Sequence, residues 1–163
     1  MNLHIRKTTM NDLDTIVEIE NQCFPEAEAA SRTSLENRIR IFTDSFFVAT
    51  VEEDEIVGFI NGCITNDRTI CDEMFDDPKL HIPDGDYQSI FGLDVIPEYR
   101  QRGIAGQLMK HMIQVSEKNG RKGVILTCKE HLINYYSKFG FENMGISASV
   151  HGGAQWYDMI LEF

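Results

Sequence analysis

Apolar and polar residues follow two different periods along the first part of the chain. Leu3 and Ile5 alternate with polar neighbours, which predicts a first β-strand. Thr9 stands three residues before Asp12, the spacing of a capped helix start, and apolar residues then recur at helical spacing. A second helix is predicted from about Ser31, again from apolar residues three or four apart.

Strand-type runs dominate the middle of the chain. Residues 46–51 and 56–64 are rich in β-branched and aromatic residues and are separated by an acidic group, which predicts a hairpin with an exposed tip. A third such run covers residues 87–96. The long polar stretch from Asn66 to Gly85 is interpreted as an insertion loop, of the kind that covers binding clefts.

The second half of the chain alternates between helix and strand. Residues 103–119 form the clearest predicted helix, residues 123–128 a buried strand and residues 132–139 a short helix, and strand returns from Phe141. The pattern predicts one mixed α/β domain over residues 1–163. We expect a sheet that is antiparallel in its N-terminal half and parallel, strand-helix-strand, in its C-terminal half, with helices on both faces.

Composition narrows the function classes. The net charge is −11, from 15 basic and 26 acidic side chains, which disfavours nucleic acid as a partner. It favours a cationic partner only weakly, because solubility alone explains such acidity equally well. No apolar stretch is long enough to cross a bilayer, and residues 1–9 lack the apolar segment of a signal peptide. We therefore expect a cytoplasmic protein with no membrane partner, and either a monomer or a homodimer.

Cysteine and histidine spacing gives no sign of a metal. The four cysteines have no CxxC spacing, and the five histidines show no paired ligand spacing. Reduced thiols and the absence of a metal cofactor are expected.

The most informative stretch is LDVIPEYRQRGIAG at residues 93–106, where a strand runs through a turn into the clearest helix. Free amides at a helix start lie at the positive end of its dipole and can hold a pyrophosphate, and small residues let phosphates approach the backbone. Arg100 and Arg102 add positive charge. The turn lacks the Lys-Ser/Thr pair of a P-loop and the GxGxxG pattern, which disfavours nucleoside triphosphatases and dinucleotide enzymes.

In this context, Arg100-x-x-Gly103-x-Ala105 resembles the R/Q-x-x-G-x-G/A signature of the GNAT superfamily of acetyl-coenzyme A (acetyl-CoA) dependent N-acetyltransferases. The resemblance implies a GNAT-like fold and acetyl-CoA as cosubstrate. It also implies that backbone amides of residues 101–106 bind the pyrophosphate and that a splayed strand binds the pantetheine arm. The residues implied in acetyl-CoA binding are Leu93, Asp94, Val95, Arg100, Gln101, Arg102, Gly103, Ile104, Ala105 and Gly106.

A later segment, NYYSKFGF at residues 134–141, resembles the family's Y-x-x-x-GF pattern, in which a helix tyrosine faces the thioester sulfur. Tyr136 is the matching position, and we expect Tyr135 to be a core residue instead. Residues 24–31, FPEAEAAS, and residues 128–141 are similar to the arylalkylamine (serotonin-type) branch. Two histidines implicated in amine deprotonation in vertebrate members correspond here to Ser89 and Phe91, so a base must lie elsewhere or water must serve.

Two residues are candidates for acid-base chemistry. A primary ammonium with a pKa of about 10.4 is almost fully protonated at neutral pH, and Glu28 is a candidate to bind it or relay its proton through water. Tyr136 is the candidate donor to the departing thiolate. Cys128 is interpreted as an inert core thiol.

The predicted reaction is therefore direct attack on the thioester by a primary amine, arylalkylamine-like or otherwise cationic. Acetylation of a protein or peptide amine is the first alternative. A module that senses acetyl-CoA without turning it over is the second.

Overall fold

The structure is a computed structural model, and it describes residues 2–163. The strands are β1 (His4–Lys7), β2 (Phe46–Val51), β3 (Glu55–Asn61), β4 (Ile64–Thr65), β5 (Tyr87–Ile90), β6 (Gly92–Val95), β7 (Gly123–Cys128), β8 (Glu142–Ile146) and β9 (Tyr157–Glu162). The helices are α1 (Leu13–Cys23), α2 (Arg32–Ile41), α3 (Glu73–Asp76), α4 (Ile104–Lys118) and α5 (Ile133–Ser137). None of them is long and apolar enough to span a membrane.

The strands form two sheets that adjoin one another. The first has the order β1-β2-β3-β6 and is antiparallel throughout. The second has the order β4-β5-β7-β9-β8, and its parallel part is the single pair β5 and β7. The predicted fold class is confirmed, although the parallel part is narrower than the alternation of strands and helices suggested.

Helices cover both faces of the first sheet. Successive residues of β2 point to opposite faces, so each face of this strand packs against a different set of helices. Phe46 and Val48 pack against α1 and α2, whereas Phe47, Ala49 and Val51 pack in the cluster that includes α4. All six residues of β2 are buried, so both faces of this strand are core. The local signals for the helices are also present, since Thr9 and Asp12 form a capping box and the Ser31 side chain accepts a hydrogen bond from Ser34 N.

Two predicted strands each divide where the sheets meet. The run 56–64 ends its pairing with β2 at Asn61 and resumes as β4, and the run 87–96 divides at Phe91 into β5 and β6. Phe91 N donates to Asn61 O at 2.7 Å, so the two breaks lie side by side. A β-carbon on Gly62 would overlap the carbonyl oxygen of Ser89, which explains why a glycine occupies this crossing.

The predicted insertion loop contains short helical elements. Its residues include α3 and a 3-10 turn at Pro78–Leu80. Arg38 Nη2 donates to Phe75 O at 2.9 Å, and Ser34 Oγ donates to Asp76 Oδ1 at 3.1 Å. The segment is therefore fixed to α2, and this contact determines where Phe75 lies relative to the site described below.

Substituting Gly62 with alanine tests the close approach of the two sheets. We expect Gly62→Ala to lower the free energy of unfolding by about 2–3 kcal/mol, because the added carbon must displace backbone. The matched change Gly106→Ala places a carbon 3.8 Å from Phe139 Cζ, an ordinary contact on a helix. It should raise the stability by about 0.5–1 kcal/mol. Urea unfolding of both variants measures the difference, and equal effects would refute the close approach.

Candidate active site

A wedge opens between β6 and β7. The strand β5 pairs with β7 along its whole length, but within residues 2–163 β6 pairs only with β3. Ile96 N donates to Val57 O at 2.9 Å, and every second residue of an antiparallel strand bonds to the same neighbour. The backbone groups of Leu93 and Val95 therefore face the wedge, whereas the Asp94 side chain is buried on the side of α1.

The turn before α4 presents free amides at the end of this wedge. Gln101 and Gly103 have left-handed backbone angles, with φ of 63° and 81°. The first hydrogen bond of α4 runs from Gln107 N to Gly103 O at 3.0 Å, so the amides of residues 104–106 have no helical partner. Amides in this position, at the positive end of a 15-residue helix, suit a pyrophosphate.

The two arginines of the turn have different surroundings. Arg100 Nε donates to Val95 O at 2.9 Å, which fastens the turn to the end of β6. The Arg102 guanidinium lies 4.8 Å from the centre of the Tyr99 ring and is exposed. Arg102 is therefore the freer of the two to meet a phosphate.

A cavity of about 360 Å³ adjoins the wedge. Residues from α1, the 24–31 segment, α2, α3, β6, β7, α5 and the 151–156 segment line it. Much of its wall is aromatic, contributed by Phe24, Phe75, Phe91, Tyr136 and Trp156. Its charged lining residues are Glu20, Glu28, Asp76 and Arg38. The cavity can therefore accept a small molecule that combines an aryl or apolar group with a charge.

Tyr136 lines this cavity from α5. It packs against the main core and lies edge-on to Phe141, with ring centres 6.2 Å apart. Within the described residues its hydroxyl has no hydrogen-bond partner, and burial raises the pKa of Tyr136 above its ordinary value. The hydroxyl thus stays protonated at neutral pH and can donate a hydrogen bond.

The expectation that Tyr135 is the core residue of this pair is wrong. Leu132, Ile133, Tyr136 and Phe139 pack against the main core, and these positions form one helical stripe. Tyr135 stands off this stripe and lies edge-on to Tyr136, with ring centres 5.1 Å apart.

Glu28 lies in the cavity wall as an ion pair. Its Oε2 accepts a hydrogen bond from Lys129 Nζ at 2.8 Å, and its side chain is 10% exposed. The same Nζ lies 5.6 Å from the centre of the Trp156 ring, and His151 Nε2 donates to Glu28 O at 2.8 Å. Glu28 is thus near the substrate space, but Lys129 already balances its charge.

The two positions that match the family's histidines hold a buried serine and an aromatic ring. Ser89 is fully buried and donates to Cys63 O at 2.8 Å. Phe91 stacks under the Arg38 guanidinium, 4.9 Å from ring centre to Cζ. Cys128 is buried, and this burial raises the pKa of its thiol to about 11, as suits an unreactive cysteine.

Several lining residues gave no sequence signal. Glu20 and Arg38 lie on helices where they resemble solvated charges, and Trp156 and His151 come from the C-terminal segment HGGAQW. Trp156 Nε1 donates to His151 O at 2.9 Å, so the segment folds on itself over the cavity. The two glycines before the single tryptophan are the local sign in the sequence that this segment forms a tight turn.

Comparison with known proteins agrees with the geometry of wedge and turn. Residues 13–141 match the profile of the acetyltransferase (GNAT) family. The chain belongs to this family. As a GNAT acetyltransferase it uses acetyl-CoA as the acetyl donor, and the predicted cosubstrate is confirmed. Within residues 2–163, no group of three or more His, Cys, Asp or Glu side chains is placed to hold a metal ion.

Two curated relatives show how far the sequence similarity extends. The serotonin N-acetyltransferase of Mesocricetus auratus is 24% identical over 157 residues, which cover 94% of this chain and 74% of the relative. The probable hydrolase YhcX of Bacillus subtilis is 28% identical over 131 residues. That match covers 75% of this chain but 25% of YhcX, so the chain spans about a quarter of that protein's length.

Solved structures share the fold at low identity. The loading GNATL domain of CurA from Lyngbya majuscula has a TM-score of 0.84 at 17% identity, covering 99% of this chain and 98% of that domain. GphF, a GNAT-like decarboxylase in complex with isobutyryl-CoA, has a TM-score of 0.81 at 20% identity, covering 98% of each chain. The PaiA N-acetyltransferase from Thermoplasma acidophilum, in complex with coenzyme A, has a TM-score of 0.73 at 19% identity, covering 100% of each chain.

The assignment of acetyl-CoA contacts to residues 93–95 and 100–106 stays a prediction, and Gly103 provides its test. Gly103→Val should weaken coenzyme A binding at least about tenfold, measured by titration calorimetry, because a branched side chain enters the space beside the free amides. A β-carbon there meets no atom within 4 Å, so the change affects the open groove and not the core.

Gly120→Val is the matched control. Gly120 has φ of 76°, also with no atom within 4 Å of an added β-carbon, but it lies beyond the other end of α4. Both variants carry the same backbone strain of about 1–2 kcal/mol. If both lose equal affinity for coenzyme A, strain is the cause and the turn does not hold the phosphates.

Proposed function

We propose that the protein acetylates the primary amine of a small cationic molecule, of the arylalkylamine type or another amine with an apolar body. The observation that carries this proposal is the cavity beside the wedge, with its aromatic walls and acidic side chains. Aromatic faces and carboxylates together attract an ammonium group and the apolar body attached to it. The similarity to serotonin N-acetyltransferase over 94% of the chain supports the same substrate class.

The proposed chemistry is direct transfer. The amine attacks the thioester carbon after losing a proton, and the departing sulfur receives a proton or hydrogen bond from Tyr136. Burial keeps this phenol protonated, and Tyr136 shares the cavity with the carboxylates that attract the amine. Glu28 remains a candidate to hold the ammonium, with Lys129 limiting its negative charge. A covalent intermediate on Cys128 is not required, because the thiol is buried with a raised pKa.

A peptide amine is the alternative acceptor. Peptide N-acetyltransferases occur among the proteins of similar fold, including Naa50 of Arabidopsis thaliana with a bisubstrate analogue, at a TM-score of 0.77 and 18% identity. The cavity volume of about 360 Å³ is at the small end of the range for ligand pockets, which favours a small acceptor.

An amine panel tests the proposal. Coenzyme A release with acetyl-CoA should be fastest with tryptamine or phenylethylamine, slower with a simple alkylamine and slowest with a peptide bearing a free N-terminus or lysine. Turnover confined to the peptide would assign the alternative acceptor. Tight binding of acetyl-CoA without turnover of any amine would identify a sensor.

Tyr136→Phe tests the proton donor. We expect kcat with the best amine to fall about 10²- to 10⁴-fold with little change in coenzyme A affinity, because the ring stays and only the hydroxyl is lost. Tyr135→Phe is the control, since its ring lies off the core stripe, and it should change kcat less than about threefold. Full kcat in Tyr136→Phe under conditions where chemistry limits the rate would exclude this role.

A further inference from the structure

Two carboxyl groups from different elements meet beneath the cavity. Glu20 on α1 is 5% exposed and Asp94 on β6 is 1% exposed, and Asp94 Oδ1 and Glu20 Oε1 lie 3.1 and 3.8 Å from one point, the position of a β-carbon on Gly92. Glu20 Oε2 also accepts from Ala30 N at 2.8 Å. Within the described residues, neither Asp94 oxygen has a donor from any other group. Two carboxylates cannot hydrogen-bond without a proton, so the contact is satisfied when the pair holds one proton between them.

The surroundings of the pair favour that proton. Burial, and then the charge of Glu20, raise the pKa of Asp94 well above its ordinary value, and Arg38 on α2 opposes the rise. Cys23 on α1 is neutral, because its thiol donates to a backbone carbonyl and burial raises its pKa. The charge of Asp94 also acts on Tyr136 on α5, which is protonated. Arg38 is thus the one cation among the described groups that act on Asp94.

The pair lies at the wall of the cavity, which Glu20 itself lines. Gly92 lines the cavity, and a β-carbon on it would lie 3.1 Å from Asp94 Oδ1 and 3.8 Å from Glu20 Oε1. The same point lies 3.5 Å from Asn61 Nδ2, a fully buried amide nitrogen with no partner among the described residues. Three polar atoms therefore surround the place that a side chain at position 92 would take, next to the cavity wall.

Arg38 gives this space a further buried polar group. Arg38 is 5% exposed and lines the cavity, and its Nη1 donates to Asn61 Oδ1 at 3.2 Å. Its Nε has no hydrogen-bond partner among residues 2–163. The guanidinium balances one negative charge, so loss of the shared proton leaves the three charged groups with a net charge of −1, which suits an ammonium.

We propose that Glu20 and Asp94 act together as the base that takes the proton from the substrate's ammonium group. The inference rests on the proposed amine acetylation. The pair first releases its shared proton to solvent, and one ammonium N–H proton then moves to Glu20, where Asp94 shares it. The nitrogen lone pair forms the bond to the thioester carbon, and the C–S bond breaks with its electrons on sulfur. Tyr136 protonates the sulfur and is reprotonated by the surplus proton of the new amide nitrogen.

Sharing explains why the pair is a better base than one carboxylate. An ordinary carboxyl has a pKa about six units below that of a primary ammonium, so proton transfer to it is strongly uphill. A pair that binds its proton more firmly reduces this gap. Because the deprotonated pair is the active form, kcat/KM must rise with pH through the raised pKa of Asp94 and fall below it.

The test uses pH profiles of kcat/KM with the best small amine. Asp94→Asn keeps the shape of the side chain but cannot share an acidic proton. The acid limb of the profile, in which kcat/KM rises with pH, should therefore move to lower pH, and kcat should fall about 10²-fold. Glu20→Gln should lower kcat about 10²- to 10⁴-fold and abolish that limb. Glu28→Gln should raise KM for the amine and leave the acid limb in place. A limb that moves with Glu28→Gln, and not with Asp94→Asn, overturns the proposal.

An infrared titration of the wild type detects the shared proton and does not require turnover. The carbonyl band of a buried protonated carboxylic acid should be present at pH values below the acid limb, disappear as that limb is crossed, and be absent in both pair variants. Because the wild type alone gives this signal, misfolded variants do not prevent the test. Amine turnover without the band overturns the proposal and leaves the acetyltransferase function intact. The band without turnover of any amine overturns the proposed function and, with it, the role of the pair.

Discussion

The separation of β6 from β7 is the constraint on which the rest of the structure depends. Successive strands of one chain segment belong to different sheets, with β5 paired to β7 and β6 paired to β3. Polar backbone groups of β6 are thereby left at an open edge, and buried backbone groups require partners. A pantetheine arm carries two amides and can supply them. The free amides of α4 follow at the end of the wedge, as the predicted contacts to coenzyme A require.

The acceptor side depends on how the protein buries a guanidinium. Arg38 loses hydration, and three kinds of contact offset that cost: hydrogen bonds to Asn61 and to the Phe75 carbonyl, the face of Phe91, and nearby carboxyl groups. These contacts draw α2, α3, β3 and β6 together around one space. The cavity is therefore shaped by the requirements of a buried cation.

The sequence predicts what is local and misses what depends on pairing. The strand at 123–128, the helix predicted at 103–119 and found at 104–118, and the helix start near Ser31 agree with prediction, because propensity and periodicity point the same way at each. The divisions at Gly62 and Phe91 follow from strands that are distant along the chain, and no local pattern marks them. The phosphate-type turn is visible as a motif. Glu20 is not, since a glutamate beside an apolar helix stripe has the pattern of a solvated charge. Asp94 was predicted only as part of the strand that binds the pantetheine arm, and its burial beside Glu20 depends on the packing of α1 on β6.

The surroundings of position 91 oppose a histidine base there. Phe91 faces the cavity, packs against Phe75 and lies 4.9 Å below the Arg38 guanidinium. A histidine there would become a second cation beside Arg38 each time it accepted a proton, and like charges at this distance oppose that step. Arg38 opposes proton uptake by a carboxylate in the same way, but burial acts oppositely on the two groups, because it disfavours the charged imidazolium and favours the neutral carboxylic acid. In this buried space proton uptake is therefore easier for Asp94, whose pKa is raised by burial and by the charge of Glu20, than for an imidazole at position 91.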